Sequence, residues 1–199
     1  VWGWGILDLG KAMFGPGQFL GNVKINLNQN DVWSNDISDK AIKARQVEDQ
    51  AEAATWTTRK AELQALMQNR AGATAEDKAE YQVGLAREAA RNERAAQGYV
   101  GALTKNGVGT LTLTGNNSFT GEITVNEGQL SGLNQSLGSA QQVIVKQGAT
   151  LEVLPKAEVT KPSENGFVTE TLTSTAKTVT ATVEKGGRFL LNNGIANVN

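Results

Sequence analysis

The side chains available for chemistry are carboxylates, hydroxyls and amines, because the 199 residues include no histidine and no cysteine. A Ser-His-Asp relay needs an imidazole to carry the proton, and a Cys-His pair needs both missing types. Zinc sites draw chiefly on the same two side chains. Paired carboxylates remain. Glu48/Glu52 and Glu76/Glu80 stand four apart in helix-forming sequence, so each pair shares a helix face. Without histidine and without a heptad-like bundle core, a di-metal carboxylate site is not expected there, and solvated charge is the better reading. In the second half, Glu127 and Glu184 lie one and two residues before a glycine and could stack on one face. Residues 101–199 contain no aspartate, however, and none of their glutamates lies within three residues of another. Polysaccharide-degrading sites on β-helices need clustered acids, often with calcium. The expectation is therefore no catalytic residue, no metal and no cofactor. Trp2 and Trp4 could stack on a sugar, but a terminal segment docking on something larger is the preferred reading.

Charge and hydropathy narrow the partners. Lys and Arg number 19 against 20 Asp and Glu, a net charge of −1, so neither nucleic acid nor an anionic membrane is expected as a partner. No apolar run approaches the roughly 18 residues a membrane helix needs. The lack of cysteine excludes a disulfide-stapled scaffold and fits any compartment. Val1 is not methionine and Val1-Trp2-Gly3-Trp4 does not open a signal peptide, so an internal piece of a longer polypeptide is expected.

The elements that must position these residues divide sharply. Residues 36–97 carry 21 of the 39 charges and only two glycines, Gly72 and Gly84, whereas residues 101–199 carry 13 glycines. The predicted fold is mixed and segregated, α then β: a long αα-hairpin followed by a parallel β-helix. Three parts follow, at 1–33, 34–98 and 99–199. In the first, apolar residues at Ile6, Leu9 and Met13 predict a short helix that stops at Gly15-Pro16-Gly17, and Val23 to Leu27 alternates as a half-buried strand. In the second, Ser34-Asn35-Asp36 offers caps for a helix running from Asp36 to Arg70, with Ile37, Ala41, Ala44, Val47 and Ala51 on one face and Trp56, Leu63 and Met67 beyond. Gly72 stops it. Thr74-Ala75-Glu76-Asp77 reads as a capping box for a second helix, which carries Tyr81, Leu85 and Ala89 and ends at Gly98.

The third part repeats. Val125, Val145 and Val183 each precede a glycine by three, and the glycines Gly109, Gly128, Gly148 and Gly186 are 19, 20 and 38 residues apart, with Gly166 near the middle of the last gap. Strand, turn glycine and strand at about twenty residues per unit is the pattern of a parallel β-helix. These five glycines are the predicted corners, since a corner needs backbone angles that side chains disfavour. An immunoglobulin-like sandwich is the alternative. Residues 154–178, with Pro155, Pro162, Ser163 and Asn165, depart from the repeat and are expected to loop out.

A family resemblance rests on three stretches. Gly3-Trp4-Gly5-Ile6-Leu7-Asp8-Leu9-Gly10-Lys11-Ala12-Met13-Phe14-Gly15-Pro16-Gly17-Gln18-Phe19-Leu20-Gly21 resembles the end of the protease domain in subtilisin-like serine protease autotransporters, where a G-x-G-x-L-x-x-x-K-A-M-x-G-P segment follows the nucleophile. Trp33-Ser34-Asn35-Asp36-Ile37-Ser38-Asp39, the Ala/Glu/Arg-rich region after it, and Tyr99-Val100-Gly101-Ala102-Leu103-Thr104-Lys105 are similar to the junction that comes next. Lys105-Asn106-Gly107-Val108-Gly109-Thr110-Leu111-Thr112-Leu113-Thr114-Gly115-Asn116-Asn117-Ser118-Phe119-Thr120-Gly121, with Thr124 to Leu130, resembles the passenger repeat. The resemblance implies a right-handed β-helix stalk, a covalently attached protease domain upstream, and more coils and a β-barrel downstream. It implies secretion or display at the outer-membrane surface of a Gram-negative bacterium. The family's catalytic motifs would precede Val1, so no catalytic residue is carried over.

The function expected is structural: a non-catalytic passenger segment joining the protease to its stalk. An adhesin-like module using the coil surface or residues 154–178 is the alternative. Self-association is a further expectation, through the open coil edge at Asn199 and the alanine-rich helix face.

Overall fold

A computed structural model describes residues 9–69 and 72–192. The readings at Trp2, Trp4, Ile6 and Asn199 lie outside those residues. The chain divides into two compact units, Val1–Lys40 with Val100–Asn199 and, separately, Ala41–Tyr99. The described elements in chain order are α1 (Leu9–Ala12), β1 (Asn22–Asn26), β2 (Asp31–Trp33), α2 (Lys40–Gln68), α3 (Ala75–Ala96), β3 (Ala102–Asn106), β4 (Thr110–Leu113), β5 (Ile123–Val125), β6 (Gln129–Leu133), α4 (Asn134–Leu137), β7 (Val143–Val145), β8 (Thr150–Leu154), β9 (Lys156–Ser163), β10 (Gly166–Thr173), β11 (Ala181–Val183) and β12 (Arg188–Leu191). The two long helices, α2 and α3, thus precede every strand except β1 and β2.

Alternating sequence makes the strands, and the chain deposits them in turn on two five-stranded sheets. One sheet has the order β1-β3-β5-β7-β11 and the other β12-β8-β6-β4-β2, with every pairing parallel. Each pass of chain therefore gives one strand to each sheet. An immunoglobulin-like sandwich would need antiparallel neighbours, and neither sheet has them. The register lines side chains into inward columns: Val23, Leu103, Ile123, Val143 and Ala181 in one sheet, and Leu111, Leu130, Leu151 and Phe189 in the other. Leu103, Ile123, Val143, Leu111, Leu130 and Leu151 are fully buried and belong to a single apolar core. Full burial of each such side chain is worth about 1.5–3 kcal/mol. Gly132 leaves a gap in the column between Leu113 and Val153, and Leu137 of α4 fills it: a Cβ at Gly132 would lie 2.9 Å from the Leu137 Cγ.

Several expectations change here. The half-buried strand expected at Val23–Leu27 is part of the parallel sheets: β1 and β2 pair with β3 and β4, so the first pass begins 80 residues before the second and belongs to the same unit. Its corner, Asn28-Gln29-Asn30, has no glycine, so the repeat was invisible there. Residues 156–173 are not a loop. β9 and β10 pair antiparallel over eight residues each, with Phe167 against Phe14 at a ring separation of 5.9 Å. Gly166 accordingly closes this hairpin and is not a corner of the parallel sheets.

The helix expected from Asp36 starts at Lys40. The residues before it are committed elsewhere: Ile37 is fully buried, its N–H donates to Asn117 Oδ1 at 2.9 Å, and Ser38 O accepts from Phe19 N at 2.8 Å. α3 begins as read, with Thr74 as N-cap, Asp77 completing a reciprocal capping box, and Gly98 (φ 75) beyond the C-cap Gln97.

Of the predicted face of α2, Trp56 and Leu63 lie inward but Ala41, Ala44, Val47 and Ala51 are exposed. Ile42, Asp49, Trp56 and Leu63 recur every seven residues, and Ile42, Asp49 and Leu63 are the buried residues of the helix. A heptad-like seam therefore exists, with a carboxylate in it. On α3 the buried positions are Gly84 and Arg91, again seven apart. The pairs Asp49–Arg94, Trp56–Glu88 and Gln64–Tyr81 run in opposite chain directions, so α2 and α3 lie antiparallel. Trp56 lies over Gly84, where any Cβ would overlap the indole ring.

Candidate functional site

The corners of the β unit are where the repeat concentrates its special residues. Gly128, Gly148 and Gly186 have positive φ, at 63°, 80° and 87°. In the earlier pass the left-handed residue is Gly107 (φ 81) and not Gly109. Gly109 is instead required by proximity, because a Cβ there would strike the backbone of Gln29 in the preceding pass. At Gly128 both demands coincide: a Cβ would lie 2.6 Å from the carbonyl oxygens of Gly107 and Gly109 and 2.7 Å from Lys105 Nζ. At Gly148 nothing lies within 4 Å, so backbone conformation alone selects glycine.

Lys105 was not singled out from the sequence. Its strand parity points it inward, in the column that runs Ile25, Lys105, Val125, Val145, Val183. The side chain is fully buried. Its ammonium donates to Gly107 O at 2.6 Å and to Glu127 O at 2.9 Å. Burial pushes the Lys105 pKa down, and the Glu127 charge opposes that shift. Glu127 in turn accepts from Gly107 N at 3.1 Å. One corner is thus stitched to the next by a lysine that satisfies carbonyls a glycine turn leaves open. Alternation in Leu103-Thr104-Lys105 carried the signal, but a lysine is normally assigned to the outside.

A second polar knot joins passes through Asp39 and Asn117. Asp39 is buried; its Oδ2 accepts from Gly101 N at 3.3 Å, Thr120 N at 3.0 Å and Thr120 Oγ1 at 2.8 Å. Asn117 accepts from Ile37 N and donates to Ser136 O, and Ser136 Oγ donates to Gly115 O. Outward-facing positions form ladders across neighbouring passes. Asn126 donates to Asn106 Oδ1 at 2.7 Å, Gln142 to Glu122 at 3.0 Å, and Glu152 accepts from Gln129, Ser131 and Asn192.

Of the carboxylates read as possible acid pairs, Glu48, Glu52, Glu80 and Glu184 are placed in ion pairs. Arg45 bridges Glu48 and Glu52 at 2.9 Å each. Glu80 takes a two-pronged bond from Arg59 at 2.9 and 2.7 Å, which lowers its pKa, whereas Glu76 is exposed. Glu127 and Glu184 do not share one face: the first serves Gly107 and the second pairs with Lys146. Among the described residues no group of three or more acids could hold a metal ion.

In the helical unit Asp49 is the most perturbed acid. Its side chain is 2% exposed, beside Arg45 at 2.8 Å, and it accepts from Arg94 Nε and Nη2 at 2.6 and 2.7 Å and from Tyr99 OH at 2.9 Å. The Arg94 bonds, then the Tyr99 bond and the charge of Arg45, hold its pKa at about 2 against burial, which acts the other way. Next to it a groove of about 380 Å³ runs past Trp56, Glu88 and Arg91. In the β unit a wider groove of about 1080 Å³ is lined by Lys11, Phe14, Trp33, Asn35 and Lys161. Trp33 faces it mostly buried, its indole N–H bonded to Asp31 at 2.9 Å. No helix among the described residues is long and apolar enough to cross a membrane.

This arrangement organises backbone and solvated side chains; the polar groups named above are directed at one another. Comparison with known families gives one match. The passenger-associated-transport-repeat family matches residues 103–131, which run from β3 through the Gly107 and Gly128 corners into β6. The match indicates an autotransporter passenger region, and with it a secreted or surface location. No curated protein and no solved structure matches the chain.

Proposed function

We propose that this chain is a non-catalytic passenger segment that joins a subtilisin-like serine protease to its stalk in an autotransporter of a Gram-negative bacterium. The observation that carries the reading is that the matched residues run through one pass of the two parallel sheets, β3 and β4, and on through β5 into β6 of the next. On this reading successive passes wind as a right-handed parallel β-helix, and α2 and α3 form a hairpin inserted between the first pass and the second. The partners are the covalently attached protease upstream and further coils and a β-barrel downstream. The segment's work is mechanical: stacking buries apolar columns pass by pass, and that folding energy favours outward passage. The lack of cysteine fits transit through a narrow pore.

The test is display. Fused to a translocator barrel in a Gram-negative host, the chain should reach the surface. Leu111→Asp or Leu130→Asp puts a charge into a fully buried column and should cut surface accumulation while total synthesis is unchanged. Equal display of these variants would remove the mechanical role. The purified chain should leave casein intact, and cleavage that copurifies with it through inhibitor-treated preparations would refute the non-catalytic part.

One observation favours a second reading, an adhesin-like module. The β9–β10 hairpin exposes Phe167 and Val168, at 60% and 51%, in the segment where a binding loop was expected. Binding of the isolated chain on a glycan array, lost on Phe167→Ser, would select it.

A further inference from the structure

Two Asn-Gly bonds lie among the described residues, and their environments are opposites. At Asn106–Gly107 every reacting group is occupied. The Asn106 amide donates to Ile25 O at 3.2 Å and accepts from Asn126 Nδ2 at 2.7 Å. The Gly107 N–H donates to the Glu127 carboxylate at 3.1 Å, which discourages loss of its proton. Gly107 itself is buried. Asn165–Gly166 sits at the closed end of the β9–β10 hairpin, where Ser163 pairs with Gly166 across the two-residue turn Glu164-Asn165. Both residues are exposed, and a Cβ placed on Gly166 would meet nothing within 4 Å.

We propose that Asn165–Gly166 is a self-modification site, at which the peptide nitrogen closes on the asparagine side chain and converts it to a mixture of isoaspartate and aspartate. The Gly166 N–H gives its proton to a solvent base, and the nitrogen attacks Asn165 Cγ. The new N–Cγ bond closes a five-membered imide as the Cγ–Nδ2 bond breaks, and ammonia leaves with a proton from water. One water then adds across either imide carbonyl. Opening at one restores a normal peptide bond with aspartate; opening at the other routes the main chain through the side chain and inserts an extra carbon. Water is the only co-reactant. Glycine favours closure because no Cβ crowds the attacking nitrogen and the backbone can turn freely. Either product adds a carboxylate beside Glu164, and the isoaspartyl product lengthens the turn that sets Phe167 against Phe14.

Incubation of the intact chain at mildly alkaline pH, followed by proteolytic mapping with mass spectrometry and an isoaspartate-specific methylation assay, tests this. The amide-to-acid mass change should accumulate at position 165 and run on the order of tenfold or more slower at 106, as expected where native structure must open first. In denaturing urea the two rates should converge. Asn165→Gln should remove the signal at 165 and leave the slow one at 106. Retention of the amide at 165 in the native chain, or equal native rates at 165 and 106, would overturn the proposal.

Discussion

Replacing Asp49 by asparagine should weaken the helical unit by an amount that depends on pH in a defined window. Asp49 is held at about 2 against an ordinary 3.8. A shift of that size corresponds to about 2 kcal/mol of stability. The sign follows from the direction. Because the folded-state value is depressed, the contribution is fully present above pH 3.8 and is lost as pH falls through about 2. Asparagine keeps the shape of the side chain but removes the charge that Arg94, Arg45 and Tyr99 face. Breaking a fully buried pair costs about 3–5 kcal/mol; Arg94 and Arg45 retain 27% and 37% exposure, so the expected loss near neutral pH is about 2–3 kcal/mol. Urea unfolding followed by the helical circular dichroism band, on both proteins from pH 7 to pH 2, measures it. The gap should hold down to about pH 4 and close toward pH 2. A gap constant over the whole range, or one below about 0.5 kcal/mol at pH 7, would refute an ionised, buried Asp49 as the clamp of this unit.

Lys105→Met should leave Gly107 O and Glu127 O without their donor and cost about 1–3 kcal/mol in chemical unfolding of the β unit. Because burial lowers the Lys105 pKa, the unfolded chain binds more protons between the folded value and 10.5, so wild-type stability relative to Lys105→Met should rise as pH climbs through that interval; a falling difference would contradict it. Gly84→Ala should destabilise the helical unit by about 1–3 kcal/mol, although the same exchange in a solvated helix gains about 1 kcal/mol, because its Cβ would overlap Trp56; in a Trp56→Leu background the penalty should shrink or reverse in thermal melts.

The parallel passes were legible because two signals agreed there: alternation in Ile123-Thr124-Val125 and Ala181-Thr182-Val183, and a glycine three residues after each valine. The glycine signal misled where conformation and crowding separate. Gly109 looked like a corner yet leaves the left-handed turn to Gly107, and Gly166 fitted the spacing while serving a hairpin. In residues 154–178 the prolines and Asn165 suggested a loop, although Ala157-Glu158-Val159 and Val168-Thr169-Glu170 alternate as strands do. In α2 the sequence picks out Trp56 and Leu63 of the seam but favours the exposed alanines over Ile42 and Asp49, because a carboxylate at every-seventh-residue spacing reads as solvated. Lys105 was passed over for the same reason. Both errors come from treating charge as a marker of the surface, whereas a charge with enough fixed partners can be buried.

That rule bears on how a repetitive stack finds its register. Val125, Val145 and Val183 occupy one column, and Leu111, Leu130 and Leu151 another. Apolar burial is non-directional, so shifting the stack by one pass would exchange valine for valine and leucine for leucine at little cost. The buried polar groups do not repeat. Lys105 interrupts the valine column once, Asp39 ties its own segment to Gly101 and Thr120, and Asn117 links Ile37 with Ser136. A slip of one pass would set Lys105 beside residues that present other partners and leave Asp39 and Asn117 without theirs. Each buried group so orphaned costs about 1–3 kcal/mol, and more where it is charged. Lys105 and Asn117 lie within residues 103–131 and Asp39 in the chain of the first pass, so the polar knots set the pairing among the first passes and the later passes can add by apolar stacking.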